Sequence, residues 1–175
     1  STLLNIATLL IQSNTIDEVF EKIPLYLSKL IDDLTVAIYS IKENTLFLNS
    51  TFPDLPKDFP QDLRYALLDD HPHIKKAIEN KSYVYVKDLD NENLTIKEQE
   101  VTRLRRLKTI IYLPLYYQNN VFGVLIIGKQ DKADGFLEEE IEIFKILTRF
   151  ASIKIEDLNT HLENISNIEK LEKLN

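Results

Sequence analysis

Residues Lys108 to Gly128 read Lys-Thr-Ile-Ile-Tyr-Leu-Pro-Leu-Tyr-Tyr-Gln-Asn-Asn-Val-Phe-Gly-Val-Leu-Ile-Ile-Gly. Two apolar runs of strand length flank Asn119-Asn120, and asparagine tolerates the left-handed backbone that a tight two-residue turn requires. The stretch therefore predicts a β-hairpin centred on Asn119-Asn120. Strand alternation puts Ile110 and Tyr112 on one face, and Val124 and Ile126 on one face. A long amphipathic helix is expected from near Leu137, and it reaches the chain end without a Gly or Pro.

That helix changes character along its length. From Ile141 to Ile155 it reads as apolar on two sides, with Phe144 and Ala151 on one and Ile143, Leu147 and Phe150 on another. Such a helix is expected between a sheet and a second surface. Phe144, Ala151, Leu158 and Ile165 are spaced by sevens, as are Thr148, Ile155 and Leu162, which predicts a coiled-coil seam of about three heptads. Glu169 breaks it. The short apolar stripe Leu3, Ile6, Ala7 and Leu10 at the other end is too small to cover the seam alone. A symmetric bundle made from both terminal helices of two chains is the expected solution.

Toward the N-terminus, Thr15 and Glu18 form a capping-box pair ahead of the apolar period Ile16, Val19, Phe20, Ile23, Leu27, Leu30 and Ile31. Pro24 lies inside that helix and predicts a kink. Thr35 to Ile41 and Thr45 to Ser50 read as strands joined at Lys42-Glu43-Asn44. The segment holding Pro53, Pro56 and Pro60 reads as a loop over a sheet face, with Phe52, Leu55 and Phe59 as apolar feet. Arg64 to Leu68 reads as a short strand, and Asp70-His71-Pro72 starts a helix that Asn80 ends. Tyr83 to Val86 is strand, and Val101, Leu104 and Leu107 mark one more short helix.

Composition excludes several classes of chemistry. Among 175 residues, 21 Lys and Arg face 28 Asp and Glu for a net charge of -7, which argues against a nucleic-acid partner. There is no cysteine, so thiol catalysis, disulfides and cysteine-zinc sites are out. The glycines are Gly123, Gly128 and Gly135, none in a phosphate-cradling loop. No apolar run approaches 18 residues, so no membrane span is expected in this segment. The start lacks a basic leader, and a cytoplasmic location is the expectation. His71 and His73 stand two apart rather than at the i, i+4 spacing that converges on a metal, and no third ligand is apparent. His161 reads as a solvated coil residue. No nucleophile with a base, nor a carboxylate pair, stands out, so no enzymatic activity is expected.

The order helix, strand, strand, covering segment, strand, helix, hairpin, helix resembles the GAF domain family across nearly the whole chain. Thr15 to Ile23 is similar to that family's second helix, and Val36-Ala-Ile-Tyr39 to its first strand. Leu113-Pro-Leu115, the turn, Phe122-Gly-Val-Leu125 and Phe136 before an acidic helix start are the clearest match. The resemblance implies an α+β sandwich: a central antiparallel sheet with the terminal helices on one face and short helices and loops over the other. It also implies a sensory domain over residues 1–158, with an N-terminal helix at 2–12, and a C-terminal helical extension at 159–175. That extension would lead to an effector domain of the same full-length chain.

Carried onto matching positions, the family's ligand site falls on Ala37, Tyr39, Tyr112, Val124 and Ile126, closed by Ile74, Ile78, Val101 and Leu104. Arg103, Arg105, Arg106 and Lys108 form the only dense basic cluster, beside the expected mouth. On a helix Arg103 and Arg106 share a face while Arg105 points elsewhere, and Arg106 is the candidate for an anionic ligand. The cofactor is left open, but without cysteine no bilin can attach covalently. Leu137 stands where many members carry a Ser or Thr cap. The implied function is a small-molecule-sensing regulatory domain of a bacterial-type signalling protein, homodimeric through Phe144, Ala151, Ile155, Leu158, Leu162 and Ile165. The alternative is a ligand-free dimerisation or adaptor module.

Overall fold

In the computed structural model the chain forms α1 (Thr2–Ile11), α2 (Ile16–Leu30), β1 (Leu34–Lys42), β2 (Thr45–Phe52), β3 (Tyr65–Leu67), α3 (Pro72–Asn80), β4 (Val84–Val86), α4 (Ile96–Leu104), β5 (Thr109–Tyr117), β6 (Asn120–Lys129) and α5 (Glu138–Leu174). The structure describes residues 2–130 and 134–174, without the side chains of Thr2 and Leu3. The expected role of Leu3 in the N-terminal stripe therefore lies outside the described residues. The six strands form one antiparallel sheet in the order β3-β2-β1-β6-β5-β4.

Each face of the sheet carries its own core. Val36, Ile38, Ile111, Leu113, Leu115, Leu125 and Ile127 pack under α1, α2 and α5, against Ile6, Leu10, Phe20, Ile23, Leu27, Phe144 and Ile155. The alternate residues Tyr39, Ile110, Tyr112 and Val124 join Leu46, Ile74, Ala77 and Ile78 on the other face. A strand buried on both sides reads as a continuous apolar run, and β5 does so from Thr109 to Leu115.

Turn chemistry fixes these registers. Glu43 and Asn44 both take positive φ, 51° and 64°, as a type I′ hairpin needs, and Lys42 pairs with Thr45. The β5–β6 turn falls at Gln118-Asn119, one residue before the expected Asn119-Asn120, with φ of 51° at Gln118. A bulge explains the offset: Leu115 pairs with Gly123 but Tyr116 pairs with Val121, so Phe122 is the extra residue. A second bulge leaves Asn49 unpaired in β2, and its side-chain oxygen accepts from the Ser40 N–H at 3.1 Å.

Helix ends follow local signals. Thr15 Oγ1 accepts from the Glu18 N–H at 3.1 Å, while the Glu18 carboxylate reaches past Thr15 to the Asn14 N–H at 2.9 Å. α2 continues through Pro24 to Leu30 with no interruption. At the start of α5 the missing Ser or Thr cap is replaced by Glu140, which accepts from the Leu137 N–H at 2.9 Å and meets Lys129 Nζ at 3.2 Å.

The terminal helix corrects two expectations. Phe144, Leu147, Thr148, Ala151, Ser152, Ile155 and Leu158 form one buried face, whereas Phe150 is exposed, so α5 has one covered side rather than two. Four residues of the expected dimer seam, Phe144, Ala151, Ile155 and Leu158, are already buried within the single chain, where Ile6 and Leu10 of α1 join them. α1 thus covers more of α5 than the stripe length suggests. Leu162 and Ile165 remain 58% and 41% exposed.

Candidate functional site

β1, β5 and β6 present Ala37, Tyr39, Ile110, Tyr112 and Ile126 to the face covered by α3, α4 and the proline-rich loop. Between these layers lies a cavity of about 60 Å³, lined also by Leu55, Phe59, His71, Ile74, Glu98, Val101, Thr102, Arg105 and Leu107. The loop reaches it through Leu55 and Phe59; Phe52, the third expected foot, is exposed.

Of the residues named from sequence, Ala37, Tyr39, Ile74, Val101, Tyr112 and Ile126 line this cavity. Ile78 and Val124 belong to the same buried cluster without reaching it. Leu104 does not: it is 42% exposed, and Leu107 takes the inward place. Arg106 is likewise outside, beside a shallow surface groove with Arg103 and Lys108, and Arg105 is the arginine at the cavity. The reason is helical spacing: Arg105, still in αR conformation, stands four residues after Val101 and seven after Glu98 on the cavity face, while Arg103 and Arg106 share the outer groove.

Polar groups converge on this largely apolar chamber. The Tyr39 hydroxyl donates to the Leu63 carbonyl at 3.0 Å. Burial pushes its pKa up to about 12, although the positive charges of Arg105 and Arg64 pull the other way. Burial raises the Tyr112 phenol still more strongly, helped by the negative charges of Glu98 and Glu92. Both phenols are neutral donors at ordinary pH. His71 lies at the N-terminal end of α3, its Nε2 buried with no hydrogen-bond partner. Burial lowers its pKa below the usual 6.5, against the opposing charges of Glu98 and Asp70, so the ring is neutral near pH 7.

Glu98 is the most connected residue here, and it is 3% exposed. One carboxylate oxygen accepts from the Thr95 N–H at 3.0 Å, closing a capping box in which the Glu98 N–H donates to Thr95 Oγ1. The other oxygen lies 3.3 Å from the His73 N–H, which donates to it, and 2.6 Å from His73 Nδ1. His73 Nε2 is 3.2 Å from Glu92, and its ring stacks on Tyr112 at 5.9 Å between centroids. Neither Glu98 nor Arg105 was singled out as a site residue from sequence. Thr95-x-x-Glu98 carries the capping-box signature that could have flagged the glutamate. Arg105 stands four residues after Val101, a spacing that could have put it on the same helix face. Among the described residues no cluster of His, Asp and Glu could hold a metal ion.

A family model described as GAF domain matches residues 13–156. The chain belongs to the GAF domain family, regulatory and sensory domains found in signalling proteins. No curated protein matches it. Its fold is similar to the GAF domain of a phosphoenolpyruvate-protein phosphotransferase from Coxiella burnetii, at TM-score 0.74 and 14% identity over 91% of this chain and 94% of that one. It is also similar to a GAF domain/HD domain protein from Geobacter sulfurreducens, at TM-score 0.70 and 20% identity over 82% and 94%. A third similar structure is free methionine-R-sulfoxide reductase from Neisseria meningitidis in complex with its substrate, at TM-score 0.74 and 15% identity over 91% and 89%. At these identities the likeness concerns the fold.

Proposed function

We propose that this GAF domain binds a small molecule between the sheet and the α3–α4 cover, and relays its presence through α5 to an effector domain of the same chain. The observation that carries the reading is the buried, unpartnered Nε2 of His71, a residue that lines this chamber. A buried polar atom without a partner costs about 1–3 kcal/mol, which a ligand or ordered water would recover. The domain acts by binding rather than by catalysis, in a bacterial-type cytoplasmic signalling protein. No helix among the described residues is long and apolar enough to cross a membrane.

β5 supplies a physical route for the relay. Its alternate residues Ile110 and Tyr112 touch the chamber, while Ile111, Leu113 and Leu115 pack in the core that contains α5. At its end the Tyr116 N–H donates to Ser152 Oγ of α5 at 3.1 Å. A ligand that prefers one placement of β5 therefore biases α5, and only that difference in affinity can drive a shift. Beyond Leu158, Leu162, Ile165, Ile168 and Leu171 are exposed on α5 with no cover from the sheet. A second copy of the chain is their proposed partner, which makes residues 159–175 a coiled-coil extension of the domain at 1–158.

The small volume favours a second reading, a ligand-free dimerisation module, because drug-sized ligand sites span roughly 300–1,000 Å³. Native mass spectrometry of the wild type beside Ala37→Leu separates the two. Sensing predicts a dimer that retains a non-covalent mass, and loss of that mass when the leucine fills the chamber. Wild type and variant both carrying bare chains would favour the adaptor.

A further inference from the structure

The charge pattern of the cavity bears on what it holds. In a chain of net charge -7, seven of the described lysines, Lys22, Lys75, Lys97, Lys108, Lys129, Lys145 and Lys154, meet a carboxylate. Among the described residues no such ion pair reaches Arg105. Its guanidinium is partly buried at the cavity wall, with one hydrogen bond to the Pro53 carbonyl at 3.4 Å. Arg64 adds a second positive charge acting on the same Tyr39 hydroxyl, and its Nε is buried without a partner. Arg105 thus brings a positive charge to the cavity wall with no carboxylate paired to it among the described residues, while Arg64 lies over the Phe59 ring.

Toward the N-terminal end of α4 the lining differs. Glu98 is there, but its oxygens already accept from Thr95 and His73, which leaves His71 Nε2 as the group without a partner. The lining is therefore polarised along α4, from Glu98 in its first turn to Arg105 at its C-cap. An anionic ligand is favoured with its charged head toward Arg105 and its tail toward the end that holds Glu98 and His71.

We infer that the chamber takes a compact monocarboxylate, since a cavity of about 60 Å³ lies far below the roughly 300–1,000 Å³ of drug-sized ligand sites. Its carboxylate sits on the Arg105 guanidinium in charge-assisted hydrogen bonds, and a hydroxyl or carbonyl on its short tail meets His71 Nε2. Larger anions such as nucleotides do not fit this volume. The inference rests on the sensing function proposed above and adds the chemical class of the ligand.

The test uses acetate, propionate and pyruvate against neutral propionamide, at constant ionic strength set with chloride. Methyl resonances of Ile74 and Ile126, both at the chamber wall, report occupancy in the whole chain. The expected result is saturable shifts of both methyls, with the carboxylates binding at least tenfold more tightly than the amide. Arg105→Gln should abolish that preference, Arg105→Lys should keep part of it, and Arg106→Gln should leave it intact. Circular dichroism of each variant establishes that it is folded. Equal affinity for acid and amide would overturn the carboxylate assignment while leaving a small-molecule chamber in place. Absence of shifts with all four probes, or equal losses in Arg105→Gln and Arg106→Gln, would overturn it as well; whether the chamber holds some other molecule is read independently from the retained mass.

Discussion

His73 Nδ1 stands 2.6 Å from Glu98 Oε2, and this contact ties α3 to α4 across the roof of the cavity. The tie is reinforced on both sides. His73 also faces Glu92 at 3.2 Å, and Glu98 also closes the capping box at Thr95. Glu98→Ala removes the acceptor for the Thr95 and His73 N–H groups together. Hydrogen bonds to a charged group contribute about 1.5–3 kcal/mol each before relaxation, so a net loss of roughly 2–4 kcal/mol is expected. Urea unfolding reads it as a lower midpoint, and Glu98→Gln, which keeps one acceptor, should lose less. A change in Glu98→Ala under about 0.5 kcal/mol, the scale of ordinary surface substitutions, would show that the tie holds little.

His71 predicts a pH dependence with a definite sign. Its pKa in the folded chain lies below 6.5 because burial disfavours the charged ring. The unfolded chain therefore takes up the proton first as pH falls. The contribution of this ring is fully present above 6.5 and is lost as pH falls toward the folded value. Within that window the slope reaches at most about 1.4 kcal/mol per pH unit for one group. His71→Gln should flatten stability against pH just below 6.5 relative to the wild type. Parallel curves for the two proteins would contradict the assignment.

Much of the architecture was legible because local chemistry and hydrophobic period agree. Alternation in β1, β5 and β6 is enough to put Tyr39, Tyr112 and Ile126 on the face shared with Ile74, since one residue of slip would exchange the two cores. One miss depends on a single backbone departure: the bulge at Phe122 moves the hairpin turn by one residue, and Phe122 carries no composition signal for it. The other does not, because Arg105 follows Val101 at the i+4 spacing that puts both on the cavity face. The heptad spacing of α5 was real but ambiguous. A buried helix face and a coiled-coil seam share nearly the same period, and Phe144, Ala151, Ile155 and Leu158 turn out to serve the chain's own core.

Two glycines should differ sharply in their tolerance of alanine. A Cβ at Gly123 collides with the Tyr39 carbonyl oxygen, a backbone atom of the paired strand that cannot turn aside. A Cβ at Gly128 meets only the end of the Leu107 side chain, 2.8 Å away at its nearest atom. Gly123→Ala is expected to cost about 3 kcal/mol or more, at the upper end of overpacking penalties, and Gly128→Ala clearly less. Thermal unfolding of the pair checks this, and equal melting temperatures would contradict the close approach of β6 to β1.

The terminal helix divides into a part that serves the domain and a part that serves association. Leu162→Glu with Ile165→Glu should separate a dimer in sedimentation while leaving the melting temperature of the domain unchanged. Leu158→Glu, which buries a charge beside Ile155 and Leu10, should instead destabilise the domain itself by about 3 kcal/mol. If the double variant remained dimeric, or the wild type were monomeric at high micromolar concentration, the proposed coil would lose its basis.

The most direct test of the sensing account is amide hydrogen exchange along the chain, compared between protein as purified and protein stripped of bound small molecules by unfolding, dialysis and refolding. The account predicts faster exchange after stripping in α3 and α4, where the cover loses its ligand, and a changed profile in α5 around Ser152, where the Tyr116 N–H meets the helix. Identical profiles in the two samples, or changes that stop at α3 and α4 without reaching α5, would contradict it.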